Sequence, residues 1–204
     1  MKKSILSIFL ISFFIIGYAQ KFDGGAMIGM AASQVAGDRY SGFNKVGPLA
    51  GFFVNFQPAE RSSFQFELYY VQKGSKKNAN YAKGDDESYL LRLNYVEMPL
   101  LYKLHFGRFA IEAGPSLAFF MGGYEETNSE DVKADDFAAM TFQLNLGVAF
   151  NITENWMVDL RTNNSFTNLR NESHTGHVYR LGSYGQFNDV LMISLVYQFF
   201  HFGK

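Results

Sequence analysis

In the stretch MTFQLNLGVAFNI, residues 140–152, apolar residues alternate with polar or small ones without a break. Met140, Phe142, Leu144, Leu146, Val148, Phe150 and Ile152 fall on one side of an extended chain. Thr141, Gln143, Asn145, Gly147, Ala149 and Asn151 fall on the other. Successive side chains of a strand point to opposite faces, so this stretch predicts a strand with one apolar face. No segment after residue 20 shows a helical period, and the same alternation returns along the chain.

Seven further segments read as strands. They are 21–33, with Phe22, Ala26, Ile28 and Met30 aligned; 46–57, with Phe52, Val54 and Phe56; and 62–74, with Phe64, Phe66, Leu68 and Tyr70. Then come 88–106, 108–123, 155–166 and 190–202. The segment 88–106 changes phase: Leu91, Leu93 and Tyr95 share one parity, Val96, Met98, Leu100 and Tyr102 the other. A one-residue slip of this kind predicts a β-bulge, with Pro99 marking the irregular point.

The connections alternate in length. Long ones cover 34–45, 75–87, 124–136 and 167–186, while short ones sit at 58–62, around Gly107 and at 151–155. An even number of antiparallel strands, with short turns at one end and long loops at the other, is the pattern of an eight-stranded up-and-down transmembrane β-barrel.

The first residues set the compartment. Lys2 and Lys3 precede an apolar run from Ile5 to Ile16 and then Gly17-Tyr18-Ala19, which reads as a secretory leader, residues 1–19, cleaved after Ala19. The run is short for a membrane-spanning helix, which needs about 20 apolar residues. The barrel domain would then occupy 20–204, in the outer membrane of a Gram-negative bacterium. The chain has 18 basic and 19 acidic residues, and Lys2 and Lys3 go with the leader, so there is no nucleic-acid footprint. Cysteine is absent, which excludes disulfides, thiol chemistry and a lipid-modified cysteine.

Either face of the alternation could point inward. In a soluble carrier barrel the Gln, Asn, Gly and Ala set of 140–152 would be the exterior, with too few Lys and Glu for a water-facing surface. In a membrane barrel the apolar set meets lipid. The interior then holds Glu67, Arg92, Glu97, Lys103, Glu112, Asp159 and Arg161, four acids and three bases, with Gln65, Asn94, Gln143 and Asn145. Burial would be costly unless these charges pair, so they read as a structural ion-pair network. An eight-stranded barrel is only wide enough for its own side chains. Gly25, Gly29, Gly47, Gly51, Gly114 and Gly147, on the same face, would make room for the long ones. Aromatics gather at both strand ends: Phe56, Phe64, Tyr102, Phe109, Phe150, Trp156 and Phe199 near the short turns, Phe119, Tyr124, Phe137, Phe166 and Phe187 near the long loops. Two such girdles are expected at the two membrane interfaces.

Signs of catalysis or cofactor binding are missing. Ser173, His174 and His177 share the last long loop without an acid placed by a regular element. Glu125, Glu126, Glu130, Asp131, Asp135 and Asp136 make the third loop acidic, but their spacing matches no EF-hand-type cation loop. No catalytic, metal or cofactor residue is therefore assigned. The expected partners are outer-membrane lipid and lipopolysaccharide, with envelope proteins contacted through the loops or rim.

The phrases SGFNKVGPLAGFFV, FELYYVQKGSK, LNYVEMPLLYKL and EAGPSLAFF together resemble the PorT-type outer-membrane β-barrel family of Bacteroidetes, where leaders often end Ala-Gln as Ala19-Gln20 does. The resemblance spans essentially the whole mature chain and implies an outer-membrane barrel without catalytic residues. The family's founding member is associated with type IX secretion, which makes an accessory role in that export one expectation. A small-solute channel and a ligand-binding surface barrel are the alternatives.

Overall fold

A computed structural model describes residues 21–128, 130–132, 136–170 and 178–202 of the chain. The leader, together with Ser173, His174, His177 and Asp135, lies outside the described residues. The strands are β1 (Lys21–Ala36), β2 (Lys45–Ala59), β3 (Ser62–Lys77), β4 (Tyr89–Phe106), β5 (Phe109–Thr127), β6 (Glu130–Val132), β7 (Met140–Asn151), β8 (Trp156–Ser165), β9 (Val178–Arg180), β10 (Ser183–Gly185) and β11 (Phe187–Phe202). Eight of them close a ring in the order β1-β2-β3-β4-β5-β7-β8-β11. The seam is the antiparallel β1–β11 pair, from Phe22 opposite Phe202 to Ala36 opposite Phe187. All pairings in the ring are antiparallel. Closure leaves no long edge strand with unpaired backbone groups, which is what lets a sheet sit in hydrocarbon.

The short turns lie at one end. Phe106 pairs with Phe109 across Gly107 and Arg108. Gly107 takes φ 64°, the positive sign that such two-residue hairpin turns require. At the other end the strands run further than their sequence pattern suggests, β3 to Lys77 and β5 to Thr127. There β6 folds back antiparallel on the end of β5, from Thr127 opposite Glu130 to Glu125 opposite Val132, and β9 and β10 form a separate hairpin.

Along most of their length the strands turn their apolar residues outward, with Ile28 67%, Phe52 65% and Leu146 57% exposed. A contiguous apolar belt of this extent is foreign to a water-soluble surface and marks contact with lipid. At the short-turn end it finishes in cross-strand aromatic contacts: Phe22 with Phe56, Phe64 with Tyr102, Phe109 with Phe150, and Trp156 with Tyr197. On β4 the outward apolar run goes from Phe106 to Val96. Ten steps of about 3.3 Å on a strand tilted about 40° give a band about 25 Å tall, the height of a hydrocarbon core in such barrels.

Above Val96 the polarity of the wall reverses. Asn94 and Arg92 point outward, while Leu91, Leu93 and Tyr95 are buried in the lumen. Burial alternates along β4 without a slip, so the bulge expected near Tyr95 is absent from this strand. The irregularity lies across from it: Asn94 pairs with Gly122 and Tyr95 with Phe120, leaving Met121 of β5 as the extra residue. The phase change in the sequence marks the place where the strand leaves lipid for water, and the apolar face then turns in.

That upper segment has its own core. Val35, Val71, Leu91, Leu93 and Leu169 pack in the lumen with the aromatic rings of Tyr95 and Phe137. Phe137 and Phe187, expected in an outer aromatic girdle, are instead buried inside, Phe137 against Phe120 and Phe187 beneath Arg180. Of the expected upper girdle, Tyr124 stays exposed, with Arg92 over its ring.

Candidate functional site: a charged belt across the lumen

Midway down the barrel the inward residues of neighbouring strands meet in two adjoining layers. Arg161 of β8 is the centre of the lower one. Its guanidinium donates to both Glu67 oxygens at 2.7 and 2.9 Å, from Nε to Glu112 Oε1 at 2.6 Å, and to Asp159 Oδ2 at 2.8 Å. Lys103 donates to Glu112 Oε2 at 2.8 Å and Gln65 Oε1 at 2.9 Å. Sheet register creates this meeting. Glu112, Gly147 and Arg161 lie side by side on β5, β7 and β8. A Cβ on Gly147 would stand 3.0 Å from Glu112 Oε1, so the bare glycine lets the arginine reach across β7.

The upper layer is built on Lys73, which pairs with Glu97 and donates to Gln143 Oε1 at 2.7 Å and Asn163 Oδ1 at 2.6 Å. Tyr69 OH and Asn163 Nδ2 donate to Glu97 Oε2 at 2.8 and 3.1 Å. Asn163 also reaches Asn145 Oδ1 at 2.8 Å, and Asn145 reaches Ser116 Oγ at 3.0 Å. Gly51 clears the way for Tyr69: a Cβ on it would lie 2.3 Å from Tyr69 Cβ. Glu67, Lys73, Glu97, Lys103, Glu112, Asp159 and Arg161 are all buried.

The structure therefore brings together Glu67, Glu112, Asp159, Arg161 and Lys103, with Glu97 in the adjoining layer. Arg92 is a correction. It stands on the outer face of β4, because the alternation continues unbroken past Tyr95 and puts residue 92 on the parity of Val96 and Leu100. Its place as the third base is taken by Lys73, which the sequence reading passed over. Its signal was available, since Lys73 shares the parity of Glu67 and Tyr69 along β3.

Below the belt a cavity of about 720 Å3 opens at the short-turn end, lined among others by Asp23, Asn55, Gln65, Lys103, His105 and Gln198. Gln65 and Lys103 belong to the belt, so the cavity ends against it. Above the belt the apolar core fills the lumen. Among the described residues no group of three or more His, Asp or Glu is arranged to hold a metal ion. The carboxylates of Glu67, Glu112 and Asp159 converge on the guanidinium instead.

The ring, its lipid-facing belt and its polar lumen agree with the sequence comparison. The profile described as "Outer membrane protein beta-barrel domain" matches residues 18–171. The chain belongs to this outer-membrane β-barrel family. Two solved structures share the architecture. Neisserial surface protein A superimposes with a TM-score of 0.54 at 11% identity, over 88% of this chain and 97% of that one. Ail, the attachment invasion locus protein of Yersinia pestis, does so with a TM-score of 0.50 at 11% identity, over 87% and 98%. At such identities the likeness speaks for the fold. No curated protein matches the chain. The protein is a bacterial outer-membrane β-barrel in contact with lipid.

Proposed function

We propose that this barrel is non-enzymatic and closed, and that it serves as a structural or accessory element of the envelope, acting through its outer surfaces. The observation that carries this reading is the double closure of the lumen, by the Arg161 and Lys73 belt and again by the apolar core around Leu91, Leu93 and Tyr95. A solute path would have to break buried ion pairs and then cross a packed hydrophobic plug, each costing several kcal/mol. Purified protein in planar bilayers should give no conductance above background, and stepwise openings would return the small-solute channel to first place.

The resemblance to PorT-type barrels makes an accessory role in type IX secretion the specific form of this reading. Comparing the secreted proteins of a deletion strain with those of its parent tests it. Cargo lost outside and accumulating in the periplasm supports the role, and an unchanged secretome removes it.

One feature favours a ligand-binding surface barrel as the second reading. The β9–β10 hairpin carries Tyr179, Leu181 and Tyr184 at 60%, 76% and 60% exposure. Leu181, at φ 41°, and Gly182, at φ 89°, form its turn. A left-handed leucine is uncommon and costs conformational energy. Arg180 fixes the hairpin to the wall, donating to both Asp189 oxygens at 2.8 Å and to Ser165 O at 3.0 Å. Adhesion of cells carrying a Tyr179→Ser/Tyr184→Ser variant, compared with the parent, tests this reading.

A further inference from the structure

Just above the lipid band the outer wall carries two cations, Lys76 and Arg92, and Lys45, itself only 4% exposed, lies behind them at the hollow they line, with no acid in its lining. Tyr70 and Val96 form the last apolar outward pair between β3 and β4, followed by Gln72 with Asn94, Gly74 with Arg92, and Lys76 with Leu90. Here the wall has a hollow of about 340 Å3 lined by Asn44, Lys45, Gln72, Lys76, Leu90 and Arg92. Lys45 Nζ donates to Val46 O at 2.7 Å and Gln72 Oε1 at 2.8 Å. Both acceptors are neutral, and an ammonium has a third proton to give. Burial first, and then the positive charges of Arg92 and Lys76, hold the Lys45 ammonium below the usual lysine range.

Arg92 lies over the Tyr124 ring at 5.8 Å, which holds the guanidinium against the wall. Glu126, opposite Leu90 across the β4–β5 pair, accepts from Tyr124 OH at 3.2 Å. Among the described residues none of Lys45, Lys76 and Arg92 is in a salt bridge, although Lys73, Lys77, Lys103, Arg161, Arg170 and Arg180 all are.

Cations that line one hollow with no acid in its lining and no salt bridge of their own leave an unfilled electrostatic demand. Height decides what can fill it. Arg92 is four residues beyond Val96, about 13 Å along a tilted strand, which places it at the headgroup level of the outer leaflet. In an outer membrane that leaflet is built of lipopolysaccharide, whose lipid A phosphates lie at this depth. We propose that Lys45, Lys76 and Arg92 form a site for a lipid A phosphate on the outer wall of the barrel. The exposed Val46 beside it, 58% accessible, would meet the first carbons of the acyl chains. Lys76 and Arg92 supply charge-assisted hydrogen bonds, and the third proton of Lys45 completes the cradle.

The test measures lipid retained by full-length protein in nanodiscs. Phosphorylated lipid A and its dephosphorylated form are offered in equal amounts, and bound lipid is read by native mass spectrometry. Wild type should retain the phosphorylated form preferentially. A Lys76→Ala/Arg92→Ala variant should lose about fivefold of that preference for each cation removed. Lys76→Arg/Arg92→Lys should keep most of it. Arg61→Ala/Arg108→Ala removes the same charge at the short-turn end and should change nothing. Heat-modifiable migration on a denaturing gel verifies that each variant is a closed barrel. Equal retention of both lipids, an unaltered preference in the Lys76/Arg92 alanine variant, or an equal loss in the Arg61/Arg108 control overturns the site. Millimolar inorganic phosphate should leave wild-type lipid in place. If it strips the lipid, the cluster takes a soluble anion and the lipid assignment falls.

Discussion

The two halves of β4 carry the same alternation and use it in opposite ways. From Phe106 to Val96 the even-numbered apolar residues face out and Glu97 and Lys103 face in; from Tyr95 to Tyr89 the apolar Tyr95, Leu93, Leu91 and Tyr89 face in, while Arg92 and Leu90 face out. The backbone is continuous through the change. What differs is the solvent outside: hydrocarbon for the first half, water and headgroups for the second. An alternating strand therefore says where two environments lie without saying which of them is inside. The choice is made again wherever the surroundings change.

Substituting the centre of the belt gives the largest expected effect on this comparison. Arg161→Leu leaves Glu67, Glu112 and Asp159 facing one another with only Lys103 among them. Breaking a buried pair by removing one partner costs about 3–5 kcal/mol, and here one cation serves three carboxylates. The variant should refold poorly in detergent and lose its heat-modifiable band. Retention of that band at wild-type denaturant concentrations would show that water fills the lumen at this level.

The next contrast comes from one substitution placed on either side of the boundary. Leu100 faces lipid inside the apolar band, and Leu90 faces outward above it. An arginine at a mid-membrane, lipid-facing site costs about 2–4 kcal/mol, so Leu100→Arg should lower the unfolding free energy by that amount. Leu90→Arg should stay within about 0.5 kcal/mol, as ordinary surface changes do. For the buried side, Leu93→Ala opens a cavity in the upper core and should cost about 2–5 kcal/mol. Equal effects at positions 90 and 100 would mean that the hydrocarbon boundary lies elsewhere. Urea titration in detergent micelles reads all three.

Arg92 was legible only in part, and its misplacement is instructive. The sequence placed all eight ring strands, the short turns and most of the belt, because inside the membrane one parity is apolar throughout, as in β7. At Arg92 the apolar residues change parity, and a slip in the chain and a change of solvent leave the same trace in a sequence. Phe137 and Phe187 were misjudged for the same reason, since an aromatic near a strand end suits a girdle as well as a plug. Lys73 was readable by parity but lay at the edge of a long loop in the sequence, where strand parity seemed to have ended. If Arg92 is outside, Arg92→Leu should change stability by no more than about 0.5 kcal/mol. A loss comparable to that of Arg161→Leu would return it to the lumen.

The smallest expected effect belongs to the loops above the barrel, where charges are paired in water. Lys77 Nζ donates to Glu87 Oε2 at 2.7 Å and Asp85 Oδ1 at 3.0 Å, and Tyr40 OH donates to Glu87 Oε1 at 2.6 Å. The hydrogen bond from Lys77 is the main cause holding both carboxyls below their usual range, aided by Tyr40 at Glu87 and by the Glu87 backbone N–H at Asp85. Burial and the neighbouring Glu87 push the Tyr40 hydroxyl up to about 12, so it remains a donor throughout. A depressed carboxyl adds stability that is present above its unfolded value and is lost as the pH falls through the folded one. The contact between loop 37–44 and loop 78–88 should therefore hold at pH 7 and loosen only below the ordinary carboxylate value of 4.5. These groups are partly exposed and their pairing is screened by salt. Hydrogen exchange of the Glu87 amide, which donates to Asp85 Oδ1 at 3.2 Å, should rise relative to β7 between pH 5 and pH 3, after correction for intrinsic rates, and Asp85→Asn should remove most of that rise. The amides of the belt strands should not follow, because their ion pairs lie below an apolar core that the loops do not open. Protection lost in loops and belt together would mean that the two halves of the barrel melt as one unit, and the boundary at Val96 would then divide solvents without dividing stability.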